Sequence, residues 1–196
     1  MSTTNELLYY IPAGQYGKEG VLALLEQHPE IKFVSLVGID LAGNDTDEKI
    51  PMSAFFDDYE SFFEGRAVQT DGSSVVLTNI ATLNNARVDM WGDPSVNWFV
   101  DYNYENIDEA TGLPTGTLRI PAFLMHNYRY VDSRSILKCS CDYVRAELLA
   151  LIKEHGLPGM PHVKADEVVD IIFTSATELE FWVKTPSRTV TKKELS

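Results

Sequence analysis

Lys32-Phe33-Val34-Ser35-Leu36-Val37-Gly38-Ile39-Asp40-Leu41 sets Phe33, Ser35, Val37 and Ile39 in alternation with Val34, Leu36, Gly38 and Asp40. Side chains of a β-strand point to opposite faces in turn, and both sets here are mostly apolar. The stretch therefore predicts a strand covered on both sides, central in its sheet, with Gly43-Asn44-Asp45 supplying the turn that follows. Upstream, 7–11 is a short apolar run closed by Pro12. Val21, Leu22, Leu24 and Leu25 then share one side of a helix over 17–28 that Pro29 ends, suited to covering the sheet. Downstream, Phe55, Phe56, Tyr59, Phe62 and Phe63 at helical spacing predict a second helix over 51–65, with Pro51 in its first turn and Gly65 stopping it. Five aromatics on one face read as core packing rather than as a ligand box.

Strands are expected at 87–91 and 95–102, joined by the turn Gly92-Asp93-Pro94, with Val96, Trp98, Val100 and Tyr102 on one face. The polar segment 103–116 reads as an exposed loop and 117–124 as the next strand. Asp132 or Ser133 can cap the longest helix, which runs to about His155 with Leu137, Cys141, Val144, Leu148, Leu151 and Ile152 on one face. A connector rich in proline and glycine (157–164) leads to two further strands, 166–173 and 177–184, expected to form a hairpin. Residues 1–5 and 186–196 read as loose ends. Several strands with few helices and no internal repeat place the chain in the α+β class.

Composition narrows the functions. The 196 residues carry 16 Lys plus Arg against 29 Asp plus Glu, a net charge of −13, with no basic run, which argues against a nucleic-acid partner. No apolar stretch approaches a membrane span and the polar start has no signal-peptide pattern, so no membrane role and a cytoplasmic location are expected. Cys139 and Cys141, two apart on a helix, face different directions and read as reduced structural thiols.

Two short motifs bear on chemistry. In a strand, Glu178 and Glu180 of Thr177-Glu178-Leu179-Glu180-Phe181-Trp182-Val183 share one face, where two carboxylates repel unless they are solvated, share a proton or hold a cation. Spacing leaves a metal-binding pair and an ordinary solvent-facing pair both open. Asp71-Gly72-Ser73-Ser74 is a tight turn whose glycine and short polar side chains suit local backbone bonding.

In this order the pieces resemble the N-terminal part of the glutamine synthetase family. The likeness rests on Asp71-Gly72-Ser73-Ser74, on Asp132-Ser133-Arg134-Ser135 ahead of a long helix, and on Glu178-Leu179-Glu180-Phe181, with Phe33 to Asp40 similar to the opening strand of the family's β-grasp domain. It spans about 30–184 and implies an N-terminal extension and helix (1–30), a β-grasp domain (31–124), the incomplete start of a catalytic domain (125–184) and a tail (185–196). The loop 103–116 and Trp182 set the chain apart from the common short bacterial enzymes and point to a divergent, long-form member.

The resemblance further implies ATP-dependent ligation of ammonium to glutamate through γ-glutamyl phosphate, with Mg²⁺ or Mn²⁺. Glu180 would ligate metal on the glutamate side and Glu178 on the nucleotide side. Asp71, supported by Ser74, would serve the ammonium site of a neighbouring subunit in a homo-oligomer with active sites at subunit interfaces. No residue is assigned to the nucleotide. The sequence stops sixteen residues after Glu180, before the further glutamates, histidine and arginines such a site needs, so the chain alone is expected to be inactive. The alternatives are a non-catalytic paralogue docking on full-length synthetase subunits, and part of a γ-glutamyl ligase for another amine.

Overall fold

A computed structural model describes residues 6–77, 82–84 and 86–181. The chain divides into two units, 1–142 and 143–196. In the first unit the strands are β1 (Tyr10–Ile11), β2 (Ile31–Ile39), β3 (Asp45–Pro51), β4 (Val68–Asp71), β5 (Arg87–Gly92), β6 (Trp98–Ile107), β7 (Pro114–His126) and β8 (Arg129–Tyr130). Helix α1 (Lys18–Glu26) precedes β2, α2 (Met52–Asp57) follows β3, and α3 (Ser133–His155) follows β8. The α+β class holds.

The sheet runs β1-β6-β7-β2-β3, and β7 also pairs with β5 and β8, while β4 joins through β5. Every pairing is antiparallel except β2 with β7, which is parallel. As the alternation predicts, β2 is interior, between β7 and β3. Strand β7 is the longest, at 13 residues, because its two halves serve different neighbours: its first half pairs with β6 and β2, its second with β5 and β8. Leu118, Ile120, Ala122 and Leu124, every second residue of β7, are all 0% exposed. The core gathers Val34 and Leu36 of β2, Val88 and Met90 of β5, Trp98 and Val100 of β6, and Val21 and Leu25 of α1 against them.

Three expectations are corrected. The 51–65 helix breaks: α2 ends at Asp57, Asp58 leaves helical geometry at φ −142°, and 60–62 form a separate 3₁₀ turn. A continuous helix would set Phe55 and Phe62 about 10 Å apart along its axis, whereas the break brings their rings to 5.0 Å, with Tyr59 5.0 Å from Phe55 and Phe63 stacked on Trp98 at 5.4 Å. The aromatics are core, as expected, but as a cluster around a bend. The loop expected over 103–116 shrinks to 108–113, since β6 continues to Ile107 and β7 starts at Pro114. Asp108 closes that turn by accepting from the Thr111 amide and hydroxyl, and Gly112 takes φ +71°. Strand β5 forms where expected, whereas β6 starts at Trp98 rather than at 95; the two do not pair with each other, and both pair with β7.

The third correction concerns the end of the chain. Helix α3 spans 23 residues, as its cap and apolar spacing predict, and Leu137, Val144, Leu148 and Leu151 on its apolar face are exposed. The strands expected over 166–173 and 177–184 are absent from the described residues: 165–167 form a 3₁₀ turn and 168–181 have no regular structure. A strand needs a ladder partner for its backbone groups, and among the described residues of this unit there is none. Residues 182–184 of the expected strand, the tail 185–196 and the first five residues lie outside the described residues.

Phe55 is 0% exposed and touches four other rings. Phe55→Ala is expected to lower stability by about 3–5 kcal/mol in urea unfolding.

Candidate functional site

Asp71 is the last residue of β4, paired in register with Arg87 of β5. Beyond it, Gly72–Ser74 form one 3₁₀ turn for which Asp71 is the cap, its Oδ1 accepting from the Ser73 amide at 2.7 Å. The loop is two-sided: Asp71, Ser73 and Ser74 are exposed, whereas Gly72, Val75 and Leu77 are buried. Gly72 donates to Ala86 O at 2.7 Å, and a Cβ there would sit 2.2 Å from Leu83 O, so the backbone has room for glycine alone. The Ser73 hydroxyl and amide hold the Asp71 carboxyl below the ordinary aspartate range, keeping an exposed charge at the sheet's edge.

The far side of the loop is tied down by a residue that sequence reading passed over. Asp40, just past β2 and 0% exposed, accepts from the Ala42 and Asn44 amides at 2.9 Å each, and from Asn44 Nδ2 and the Val76 amide at 3.0 Å each. Leu41 N in turn donates to Val76 O at 3.2 Å. Burial alone would push the Asp40 carboxyl up; the Asn44 side chain and the Val76, Asn44 and Ala42 amides outweigh it and leave it lowered. An acid ending an apolar strand just before Gly43-Asn44-Asp45 was the available signal.

The Asp132-Ser133-Arg134-Ser135 turn is built the same way. Asp132, fully buried, caps α3 through the Ser135 amide and hydroxyl at 2.8 and 2.7 Å, and accepts from Leu124 N of β7 at 3.0 Å. Ser133 Oγ donates to Ile39 O at 3.2 Å. Arg134 stacks over Phe123, Cζ to ring centre 5.0 Å, and its Nη2 meets Asp93 Oδ2 at 2.6 Å. Asp93 also accepts from Ser95, and its carbonyl takes the Trp98 indole N–H at 2.9 Å. Burial works to raise the Asp93 carboxyl, and Ser95 and Arg134 overcome it, so it too is lowered.

Of the four residues singled out by sequence, Asp71 and Ser74 therefore share one anchored loop in the first unit. Glu178 and Glu180 lie in the second unit, on a segment without regular structure, both exposed. No group of three or more His, Cys, Asp or Glu able to hold a metal occurs among the described residues. Two solvated carboxylates fall short of the six oxygens that Mg²⁺ requires, so the described residues alone do not fit a closed metal site.

No protein-family model and no curated protein matches the sequence. Among solved structures the chain is similar to a Plasmodium falciparum glutamine synthetase determined by cryo-electron microscopy, at 15% identity and TM-score 0.47, over 70% of this chain and 24% of that one. It is similar also to a complex of GmaS with ADP in conformation 1, at 15% identity and TM-score 0.33, over 56% of this chain and 21% of that one. The chain thus spans about a quarter or less of the length of the proteins it resembles, and the resemblance is one of structure at low identity. No helix among the described residues is long and apolar enough to cross a membrane.

Two predictions follow from the loop's anchorage. Gly72→Ala should displace the 71–77 loop and lower stability by about 1–3 kcal/mol, seen in urea unfolding together with amide shifts at Ser73 and Ala86. The lowered Asp40 carboxyl contributes stability that is complete above the unfolded value near 3.9 and lost as pH falls through the lower folded value. Asp40→Asn should therefore be less stable than the native chain at neutral pH, with the gap narrowing below about pH 4 in urea midpoints measured against pH.

Proposed function

We propose that the chain is the N-terminal portion of a glutamine synthetase-type ligase, joining ammonium to glutamate at the expense of ATP. In this reading 1–30 is an extension with a helix, 31–124 a β-grasp domain and 125–184 the start of a catalytic domain. The observation that carries it is the Asp71 loop: an ionised carboxylate, exposed at a sheet edge, on a turn whose underside is fixed by Gly72 and by Asp40. A fixed, solvent-facing carboxylate attracts a small cation such as ammonium and can accept one of its protons before the free amine attacks. Ser74, exposed in the same turn, supports that loop. Ligation across a subunit interface in a homo-oligomer would bring this edge against a second copy.

Glu178 and Glu180 are proposed as two of the oxygen donors of a Mg²⁺ or Mn²⁺ shell, the metal supplying charge neutralisation for phosphate. Their spacing and the order of the motifs support this; with two donors, affinity in this chain is weak. Manganese paramagnetic resonance on the purified chain is expected to detect millimolar binding that falls when both are changed to Gln. Binding unchanged by that double substitution would remove them from the shell.

The decisive experiment uses the whole product of the gene, read through any coding sequence after Ser196. It should form glutamine from glutamate, ammonium and ATP with Mg²⁺, and Asp71→Asn should reduce kcat by about 100-fold or more. The 196-residue chain by itself should form none. A whole product that ligates a larger amine in preference to ammonium would move the assignment to another γ-glutamyl ligase, and a fully active Asp71→Asn variant would overturn the role given to Asp71.

A further inference from the structure

Between the β7–β8 hairpin, the end of the 71–77 loop and the first turn of α3 lies a cavity of about 600 Å³. Buried Leu77 and Val131, with Leu83 and Ile136, give it an apolar lining, and His126 and Arg129 add polar groups. All of these residues belong to the first unit. We propose that this cavity binds a small molecule with a compact apolar body and a single carboxylate, the carboxylate meeting Arg129. The cavity borders the buried side of the Asp71 loop through Leu77 and Leu83, and the proposal does not depend on the ligase reading.

Size and lining suit such a ligand: small-molecule sites run from roughly 300 to 1,000 Å³, mostly apolar with a few polar groups that fix orientation. The choice of an anion rests on Arg129. Arg66, Arg87, Arg119, Arg134 and Arg145 each have a carboxylate within ion-pair distance. The Arg129 guanidinium makes no ion pair or hydrogen bond with any described residue, in a chain with thirteen more acids than bases. Its neighbour cannot stand in for it, because both nitrogens of His126 are engaged. Nδ1–H donates to Arg87 O at 2.9 Å, and Nε2 accepts from Asn127 Nδ2 at 2.9 Å.

The hairpin also fixes where the guanidinium starts from. Its two turn residues, Asn127 and Tyr128, take φ of +49° and +61°, and His126 pairs directly with Arg129 across the ladder. Positive φ at both central residues is the geometry that a two-residue hairpin turn favours, and Tyr128 is 90% exposed at its tip. The turn thus places Arg129 beside the cavity, at the start of β8. A free amine would be repelled there, and a neutral analogue would fill the apolar wall while leaving the guanidinium unpaired.

The test is calorimetric titration of the full 196-residue chain with phenylbutyrate, its neutral amide and the corresponding amine, with methyl shifts of Leu77, Leu83 and Ile136 reporting the location. The acid is expected to bind about tenfold tighter than the amide, and the amine not to bind. Arg129→Gln should erase the preference for the acid, and Ile136→Trp, in a chain of unchanged circular dichroism, should weaken acid and amide alike. Equal affinity for acid and amide, a preference that survives Arg129→Gln, or no binding of the acid would each overturn the proposal.

Discussion

Leu124 of β7 is where the first unit is locked. Its side chain lies over Gly38 of β2 so closely that a Cβ there would come within 2.3 Å of Leu124 Cδ2, which lets the second half of β7 cross β2 after their pairing ends at Val37 and Pro121. Its amide donates to Asp132 and its carbonyl accepts from Val131 N at 2.9 Å, so the same residue fixes the entry into α3. Van der Waals contact, a backbone hydrogen bond and a helix cap thus converge on one position. Shifting β7 by one residue would turn Leu118, Ile120, Ala122 and Leu124 out of the core and release all three together.

From that junction outward the loops are held by buried carboxylates. Asp40, Asp93 and Asp132 are each at most 4% exposed, and each accepts hydrogen bonds from at least two different residues, as desolvated charge requires. Glu30 belongs with them: 1% exposed, it accepts from His28 Nδ1 at 2.9 Å and lies 3.4 Å from the Tyr102 hydroxyl, which burial and that carboxylate push well above the ordinary tyrosine range. These acids stand at strand ends and before the long helix. Much of what looks in the sequence like a merely acidic protein is, at these four positions, the means by which irregular segments are bonded to the sheet.

Sequence alternation located the strands whose environment is set by the core: β2, β5 and the buried face of β6 were legible because apolar residues recur where a pleated backbone needs them. It missed β3, whose Asp45, Asp47, Glu48 and Lys49 carry the signature of a loop. That strand is at the edge, where charged side chains face water and discourage further pairing, and its register is imposed by β2 rather than by its own pattern. Helical spacing across 55–63 was right about burial and wrong about geometry, since five rings pack more tightly around a bend than along an axis. For 168–181 the strand pattern was present in the sequence, but among the described residues no ladder partner meets it, and pattern alone does not make a strand.

The candidate site divides along the same line. The glycine of Asp71-Gly72-Ser73-Ser74 was legible as a turn residue, but what makes Gly72 necessary is Leu83 O, eleven positions away, and what anchors the loop is Asp40, thirty-six positions before Val76. Neither distance can be read from a local motif. The consequence for function is specific: among the described residues the exposed carboxylate of Asp71 has one hydrogen-bonded neighbour of its own, Ser73, and it inherits the rest of its placement from buried groups elsewhere on the sheet. Its usefulness in any chemistry therefore depends on the sheet, through Asp40 and Gly72, more than on the four residues that drew attention to it.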